Sequence, residues 1–324
     1  MHPTLHLGPL DFPSYYTMLT IGYLLAVLLA FREAQRNPGV DPNKFLDLSI
    51  ILLIAGLFGA RLLHVLADGY LQDYINLCLD PMKVQGKPLP ASFAQGRTEC
   101  LFDYECVDAG VGQLCNVDAG TCHPGRDCFR WAKIWYGGLA FYGGLFFAAL
   151  VAVWYIHKHR DRMNFWKVAD LAGFGIALGL IFGRIGCWLA GCCFGYHTEH
   201  AIGVEFPKYS PAWDRHVEVG LLAKGAAHSL PVIPTQLIHV VSNALIFVVT
   251  YAVYKKWRKF DGIVFGLFMI LYAISRFVIE FFRDDHRGVW LGNTLSTSQL
   301  LGIPTILIGI FALWWMGRRS RVTR

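Results

Sequence analysis

The sequence predicts an all-α integral membrane protein with about seven transmembrane helices. Of its 324 residues, 55% are hydrophobic and only 16% are charged, and the mean hydropathy is +0.41. That composition is too apolar for a soluble domain. Several apolar runs are long enough to cross a bilayer. Basic residues fall in alternate segments between the runs, as they do in polytopic membrane proteins. The net charge of +6 therefore reflects basic residues in the segments next to the membrane spans and predicts no nucleic-acid partner.

The apolar runs define the order of the elements. The seven predicted spans cover residues 14–31, 47–66, 134–156, 166–189, 234–254, 262–282 and 298–316. They divide the chain into helices 1 and 2 (1–66), a Cys-rich insert (67–133), helices 3 and 4 (134–189), a cap segment (190–233), and helices 5 to 7 with a basic tail (234–324). The N-terminus lacks the basic region of a signal peptide, so none is expected.

The short connections predict the orientation in the membrane. Basic clusters follow the first, third, fifth and seventh spans, whereas the residues before the first span contain no Lys or Arg. The positive-inside rule then places the N-terminus outside and the C-terminus in the cytoplasm. The basic residues are Arg32, Arg36 and Lys44; Lys158, Arg160 and Arg162; Lys255, Lys256, Arg258 and Lys259; and Arg318, Arg319, Arg321 and Arg324.

The insert at 67–133 falls on the predicted outer side and carries six cysteines. An even number of closely spaced cysteines among Gly, Asp and Pro is typical of a small disulfide-stapled module. A zinc module is the alternative, although no clean C-x2-C pair is present. The spacing does not fix the pairing. The cysteines are Cys78, Cys100, Cys106, Cys115, Cys122 and Cys128.

Three arginines interrupt the apolar runs: Arg61, Arg184 and Arg276. A guanidinium in hydrocarbon is costly unless it is paired or hydrated, so each marks a candidate functional position. Glu280 and Arg283 follow Arg276 on the same helix face. Planar, permanently charged Arg suits phosphate oxygens, which lipid headgroups carry. The structural alternatives are an Arg that snorkels to the headgroups and an ion pair that orients helices.

Two histidines near these arginines are candidate proton acceptors. His64 lies three residues after Arg61, and His239 lies in the fifth span after the Pro-Thr-Gln segment 234–236. Either imidazole can accept a proton, and either can equally be a hydrogen-bonded residue between helices.

A Cys-rich turn follows Arg184 and contains Cys187, Cys192 and Cys193, with His197 beyond it. Three interpretations stay open from the residues alone. The group can bind a metal, it can form one disulfide with one free thiol, or it can consist of small packing residues.

Taken together, the motifs resemble those of the prolipoprotein diacylglyceryl transferase family. They occur in the family's order and cover the membrane part of the chain without the Cys-rich insert. They are Tyr15-Tyr16-Thr17-Met18, LFGARLLHV at 57–65, GGLAFYGGL at 137–145, GRIGCWLAGCCFG at 183–195, PTQL at 234–237 and GIVFGLFMILYAISRFVIEFFRDD at 262–285.

The resemblance implies an activity and its substrates. It implies an enzyme of the bacterial inner membrane, with its active site toward the periplasm. The enzyme would transfer the sn-1,2-diacylglyceryl group of phosphatidylglycerol to the lipobox cysteine of exported prolipoproteins. A thioether forms, glycerol 1-phosphate leaves, and no cofactor or metal is needed. The catalytic residues expected on this basis are Arg184, Arg276, Tyr142 and His239. The expected substrate-binding residues are Tyr16, Arg61, Gly143, Gly144, Gly195, Gln236, Tyr272, Glu280 and Arg283.

This chain departs from the family pattern at the residues that would handle protons. Tyr142 stands where the family's loop has a histidine, and Cys187 and Cys192 replace an Asn and a Glu. His239 stands where an acid is usual. Tyr has an unperturbed pKa of about 10 and is a weak base at neutral pH. We therefore expect the arginines to supply most of the catalysis, with His239 or Tyr142 helping to deprotonate the acceptor thiol.

Three alternatives to the transferase activity follow from these departures. One is a paralogue that accepts a different protein through the Cys-rich insert. Another is a non-catalytic protein that binds phospholipid or lipoprotein. The last is a thiol-redox or metal-handling membrane protein that uses the Cys-rich turn.

Overall fold

The structure is a computed structural model that describes residues 4–7, 10–67, 69–89, 99–133, 138–223, 225–284, 289–290 and 295–322. These residues contain ten α-helices: α1 (Ser14–Ala34), α2 (Pro42–Ala67), α3 (Leu71–Leu79), α4 (Asp103–Asp108), α5 (Phe141–Lys158), α6 (Phe165–Ala190), α7 (Pro211–Glu218), α8 (Thr235–Ala252), α9 (Ile263–Glu280) and α10 (Thr297–Val322). Three two-stranded antiparallel hairpins join β1 (Thr4–Leu7) with β2 (Leu10–Pro13), β3 (Leu114–Asn116) with β4 (Thr121–His123), and β5 (Val289–Trp290) with β6 (Leu295–Ser296).

The predicted all-α membrane fold is confirmed. Seven helices are long and apolar enough to cross a membrane: α1, α2, α5, α6, α8 with its π-helical continuation Val253–Trp257, α9 and α10. The third span starts later than predicted. Residues 134–137 lie outside the described residues, and α5 begins only at Phe141. The backbone before it is not helical because Gly138 has a φ of +71° and packs where a Cβ would meet His64 and Arg61.

The chain forms two compact units. The first contains Met1–Leu46 and His159–Arg324, and the second contains Asp47–Lys158.

Helix α6 is the centre of the first unit, where it packs against α1, α8 and α9. α6 and α1 approach each other closely at glycines: a Cβ on Gly22 of α1 would lie 2.6 Å from the Phe182 Cβ and 3.1 Å from the Gly179 oxygen of α6. Small residues allow such backbone contact between membrane helices, which lack a hydrophobic driving force for association.

Polar side chains fix the ends of these helices. The Asn164 side chain accepts hydrogen bonds from the backbone of Trp166 and Lys167 and so caps the start of α6. The helix ends at Gly191, which adopts the left-handed conformation. Near its start α6 carries Asp170, which is fully buried.

The Asp170 carboxylate holds the start of α9. It accepts hydrogen bonds from the backbone N–H groups of Gly262 (2.9 Å), Val264 (2.9 Å) and Phe265 (3.2 Å). Four N–H groups at a helix N-terminus lack intrahelical partners, and a carboxylate there also complements the helix dipole. One side chain of α6 therefore supplies the cap of a neighbouring membrane helix.

The segment between α6 and α8 folds around its own small core. Phe194, Phe206, Ala212 and Val232 are buried together, with Trp188 packed against them. Its ends meet the end of α9, since the Gly195 backbone donates to the Ile233 oxygen at 2.9 Å and pairs with Arg283 in an antiparallel bridge. A Cβ on Gly195 would lie 2.3 Å from the Phe282 oxygen, so only glycine fits there.

In the second unit, α2 and α5 touch through glycines. A Cβ on Gly59 would lie 2.6 Å from the Gly143 oxygen and 2.6 Å from the Phe147 Cβ. A Cβ on Gly144 would lie 3.0 Å from the Gly56 oxygen, so this second contact is looser. These glycines allow the two helix backbones to meet.

The Cys-rich insert is stapled by three disulfides, which confirms the sequence prediction. They join Cys78 with Cys128, Cys100 with Cys115, and Cys106 with Cys122. Four of these cysteines and Leu89 form the buried core of the insert. Disulfides replace the large hydrophobic core that so short a segment cannot build.

Candidate active site

A buried cluster of charge lies between α6 and α9. Arg276 is 9% exposed, and its Nη1 lies 2.6 Å from Glu280 Oε2. The same carboxylate oxygen lies 3.8 Å from Nε of Arg283. The Arg276 guanidinium also donates to the Ser298 hydroxyl on α10 at 3.0 Å. Electrostatic interactions with Arg283 and Arg184 act on this guanidinium, so all three arginines belong to one cluster.

Arg184 differs from the other two arginines. It lies near the end of α6 and is partly buried. Within the described residues, no hydrogen bond or ion pair joins its guanidinium to another group. A buried charge normally has a partner, so a half-buried guanidinium without one is suited to an anionic ligand.

Two polar side chains one turn apart on α8 carry buried atoms without partners, and one of them, His239, belongs to the same cluster. His239 is 1% exposed, and the charges of Arg184, Arg276 and Arg283 all act on its imidazole. Its Nε2 is buried without a hydrogen-bond partner in the described part of the chain. Gln236 donates to the Cys192 oxygen at 2.8 Å, and its own Oε1 is likewise buried without a partner. Buried polar atoms are rarely left unsatisfied, so these two also point to a ligand.

The charges of the cluster are not all paired among the described residues. Glu280 pairs with Arg276 and Arg283, whereas no carboxylate in this part of the chain pairs with Arg184. An anionic ligand would supply the missing counter-charge. The geometry thus fits a phosphate group that accepts hydrogen bonds from Arg and offers oxygens to other donors.

The remaining predicted residues of the first unit lie around this cluster in different ways. Tyr272 lies one turn before Arg276, interacts electrostatically with it, and stacks on Phe268 with ring centroids 5.7 Å apart. Tyr16 is 45% exposed. Its neighbour Tyr15 is partly buried and within electrostatic range of Arg184.

Sequence reasoning therefore missed Tyr15 as a candidate. The Tyr-Tyr pair was the available signal, but adjacent helical residues point about 100° apart and the pattern does not tell which one faces inward. Sequence reasoning also missed Asp170, whose signal was a lone carboxylate in an apolar run.

The other predicted residues belong to the second unit. Arg61 is 5% exposed and donates to the backbone oxygens of Trp131 (2.7 Å), Arg130 (2.8 Å) and Gly138 (3.1 Å). These bonds fasten the segment before α5 to α2. Tyr142 is 48% exposed and makes an edge contact with the Phe141 ring.

The functional roles predicted for residues of the second unit stay predictions. Gly143 and Gly144 face the glycines of α2, and their role in substrate binding is untested. His64 packs against the rings of Tyr70 and Tyr74 with centroids 5.0 and 6.3 Å away.

The Cys-rich turn brings three thiols together. The sulfurs of Cys187, Cys192 and Cys193 all lie within 4.8 Å of one another, and none is in a disulfide. Hydrogen bonds with Cys187 and Cys193, together with burial, raise the pKa of the Cys192 thiol. His197 is exposed, its Nδ1 lies 2.8 Å from the Pro231 oxygen, and it does not join the group.

The described residues contain seven helices that are long and apolar enough to cross a membrane, and the first unit holds a buried cationic cluster. These features define a multi-pass membrane protein with a candidate site for a phosphate-bearing ligand. The sequence profile of the prolipoprotein diacylglyceryl transferase family matches residues 3–86 and 122–315. The chain belongs to this family and is a transferase.

Three similar bacterial proteins carry the name of this transferase. The chain is 29% identical over 326 residues to the phosphatidylglycerol–prolipoprotein diacylglyceryl transferase of Stenotrophomonas maltophilia (strain R551-3), covering 98% of this chain and 92% of that protein. It is 27% identical over 300 residues to the protein of the same name from Clostridium tetani (strain Massachusetts / E88), covering 92% and 90%. A Xylella fastidiosa (strain M12) protein of that name is 31% identical over 209 residues, covering 59% and 66%.

Proposed function

We propose that this protein transfers the sn-1,2-diacylglyceryl group of phosphatidylglycerol to the lipobox cysteine of exported prolipoproteins, forming a thioether and releasing glycerol 1-phosphate. Family membership supports the reaction class. The observation that carries the proposal onto particular residues is the buried cluster of Arg184, Arg276 and Arg283 with Glu280, the carboxylate that pairs with the last two arginines.

The charge of the cluster suits the leaving group better than the substrate. The acceptor sulfur forms a bond to the terminal glyceryl carbon, and the bond from that carbon to the phosphate oxygen breaks. Its electron pair goes to the phosphate, so a diester with one negative charge becomes a monoester with about two. The charge of Arg184, which has no ion pair in the described chain, favours the second state, and preferential binding of developing charge accelerates a reaction.

The acceptor thiol must lose its proton in this step. His239 is our first candidate for the proton acceptor, because its Nε2 is buried, lacks a partner in the described chain and lies in the same cluster as the arginines that would hold the phosphate. These arginines oppose protonation of the imidazole, so His239 would hold the proton only while the anionic phosphate is bound beside it. Tyr142, which belongs to the second unit, is the second candidate and rests on its place in the family's motif alone. The Gln236 Oε1 atom offers an acceptor for a hydroxyl of the glycerol headgroup.

The test is a transfer assay with the full chain in vesicles that contain phosphatidylglycerol. A lipobox peptide should gain the mass of a diacylglyceryl group, whereas a peptide with Ala at the lipobox cysteine should not. Vesicles of phosphatidylcholine alone should give no product. A folded protein that binds phosphatidylglycerol but gives no mass shift with any lipobox peptide would leave only the non-catalytic alternative.

The two adjacent tyrosines give a matched pair of variants. We expect Tyr15→Phe to slow transfer more than Tyr16→Phe, because only Tyr15 is partly buried and in electrostatic range of Arg184. Initial rates of peptide modification measure the difference. A larger effect of Tyr16→Phe would contradict this expectation and support Tyr16 as the substrate-binding tyrosine.

We infer further that the protein lies in the bacterial inner membrane with its N-terminus and the Cys-rich insert outside. Basic residues at alternate connections and the disulfides of the insert support this orientation. Membrane-impermeant labelling of a Cys introduced at the exposed Lys256 should succeed only after the membrane is opened. Labelling of this Cys in intact cells would contradict the inferred orientation and support the opposite one.

An altered acceptor is the second candidate. The family profile skips residues 87–121, which contain three of the disulfide cysteines, so this part of the insert is not covered by the match. Comparing transfer to several lipobox peptides with transfer to whole prolipoproteins tests it: a preference for one intact protein would support recognition by the insert.

A further inference from the structure

The Cys-rich turn after α6 holds three thiols that the proposed reaction does not yet use. The same structure brings six other cysteines to disulfide bonding distance, whereas Cys187, Cys192 and Cys193 remain three separate thiols. Their sulfurs all lie within 4.8 Å of one another. Three sulfurs bound to one zinc ion at about 2.3 Å would lie about 3.8 Å apart. The cluster therefore needs only a small contraction to hold a cation.

We propose that Cys187, Cys192 and Cys193 bind one thiophilic divalent cation of the zinc type and leave a fourth coordination position open. Cysteine thiolates are soft ligands that select such ions. Within the described residues, no His, Asp or Glu atom joins the three sulfurs at the same separation, so this part of the chain supplies no fourth ligand. An open position is the feature that separates catalytic from structural zinc sites.

The turn is held in place by α8. Thr235 donates to the Cys193 oxygen at 2.7 Å, and Gln236 donates to the Cys192 oxygen at 2.8 Å. Cys193 adopts a left-handed backbone with φ +63°, which a non-glycine residue keeps only when its surroundings enforce it. The ligand geometry is thus fixed by hydrogen bonds from outside the turn, as metal ligands usually are.

The position next to the arginines suggests what fills the open site. Arg184 precedes Cys187 by one helical turn and interacts with it electrostatically. Three thiolates around a divalent cation carry one negative charge, which Arg184 partly compensates. If the proposed function holds, the acceptor thiol is the natural fourth ligand: it would bind as a thiolate, and its proton would pass to His239 or to water. Its sulfur would then form the bond to the glyceryl carbon while the bond from that carbon to the phosphate oxygen breaks and its electron pair goes to the phosphate. The thioether would leave the metal because it is a weak ligand.

The test begins with metal content. The full chain, purified without a polyhistidine tag from cells grown with zinc, should contain about one zinc ion per chain. Changes outside the ligand set already weaken metal binding by roughly 10- to 100-fold, so Cys192→Ser should lose at least as much affinity. Cys187→Ser should behave alike. His197→Ala is the matched control and should keep its zinc, because His197 lies outside the cluster.

A second measurement examines the open position without using turnover. The cobalt-substituted protein should show a thiolate-to-cobalt charge-transfer band that changes when a lipobox peptide is added and does not change with the alanine peptide. Protein that contains no zinc but modifies the peptide at the full rate would overturn the metal site and leave the proposed function standing. Protein that binds zinc but gives no transfer would support the metal site and overturn the proposed function. A disulfide within the trio in protein isolated with its thiols blocked would also overturn the proposal.

Discussion

Arg184 offers the cleanest test of the cationic cluster. It has no ion pair or hydrogen bond within the described residues, whereas Arg276 and Arg283 share Glu280. Replacing Arg184 with Gln therefore removes one positive charge and strands no buried carboxylate. Replacing Arg276 would leave Glu280 without its closer partner, and breaking a buried pair costs about 3–5 kcal/mol of stability.

The size of the expected effect follows from the charge change during the reaction. A unit charge about 4–5 Å from a phosphate contributes about 3–4 kcal/mol at an effective dielectric constant of about 20. The phosphate gains up to one negative charge as the carbon–oxygen bond breaks, so this energy acts mainly on the transition state. We expect Arg184→Gln to lower kcat by roughly 100- to 1,000-fold. Stability should change by less than about 1 kcal/mol.

The assay is the initial rate of diacylglyceryl transfer to a lipobox peptide in phosphatidylglycerol vesicles, with thermal unfolding in detergent as the stability measurement. Arg160→Gln, which removes a charge from an exposed position, is the control and should leave the rate unchanged. Arg184→Lys should fall between wild type and Gln because it keeps the charge without the planar fork. A Gln variant that keeps more than about a tenth of the wild-type kcat would refute the charge argument.

Three further predictions concern stability. Asp170→Asn should lower the free energy of unfolding by about 1–3 kcal/mol, measured by thermal unfolding, because three buried N–H groups lose a charged acceptor. Gly59→Ala should cost about 1–3 kcal/mol in the same assay, since its Cβ has no room. Gly56→Ala, whose Cβ would lie 4.0 Å from the nearest atom, should be tolerated. Below about pH 6.5 wild-type stability should fall more steeply than that of His216→Gln.

The direction of the pH effect follows from the burial of His216. Burial lowers the pKa of this imidazole from its usual 6.5, so the folded protein resists protonation while the unfolded chain accepts the proton. The contribution to stability is complete above about pH 6.5 and is lost as the pH falls toward the folded-state pKa. Equal pH slopes in the two proteins would contradict this. For the Asp170→Asn experiment of the preceding paragraph, the control is Asp161→Asn, which removes an exposed carboxylate and should leave the free energy of unfolding almost unchanged.

Much of the fold could be predicted because its signals are local. Hydropathy alone finds each spanning helix to within a few residues at most ends, since a bilayer requires a minimum apolar length. The start of α5 was missed because the apolar residues before it continue the hydrophobic run. Only the positive φ of Gly138 and its packing against His64 show that the helix begins later.

The candidate site could be predicted in part. Arg276, Glu280 and Arg283 share a face by helical spacing, and the structure confirms their contact. Arg61 and Arg184 looked alike in the sequence, because both interrupt an apolar run. They differ in tertiary contacts: backbone oxygens bind the donors of Arg61, and no residue in the described chain binds those of Arg184.

The disulfide pairing and the cap of α9 could not be predicted. Six cysteines allow 15 connectivities, and spacing does not choose among them. Asp170 acts on residues far away in the chain, and only tertiary packing reveals that relation. A lone carboxylate in an apolar run indicates that a partner exists, but not which one.

The junction at Asp170 also determines where the reactive end of the molecule is built. From that point α6 and α9 run side by side in the same direction. Arg184 lies about four helical turns, or about 21 Å, further along α6 than Asp170. Arg276 lies about 18 Å along α9 from Val264. Adding or deleting one residue in either stretch would swing its guanidinium by about 100° around the helix axis. The lengths of these two segments are therefore as much a part of the chemistry as the arginines they carry.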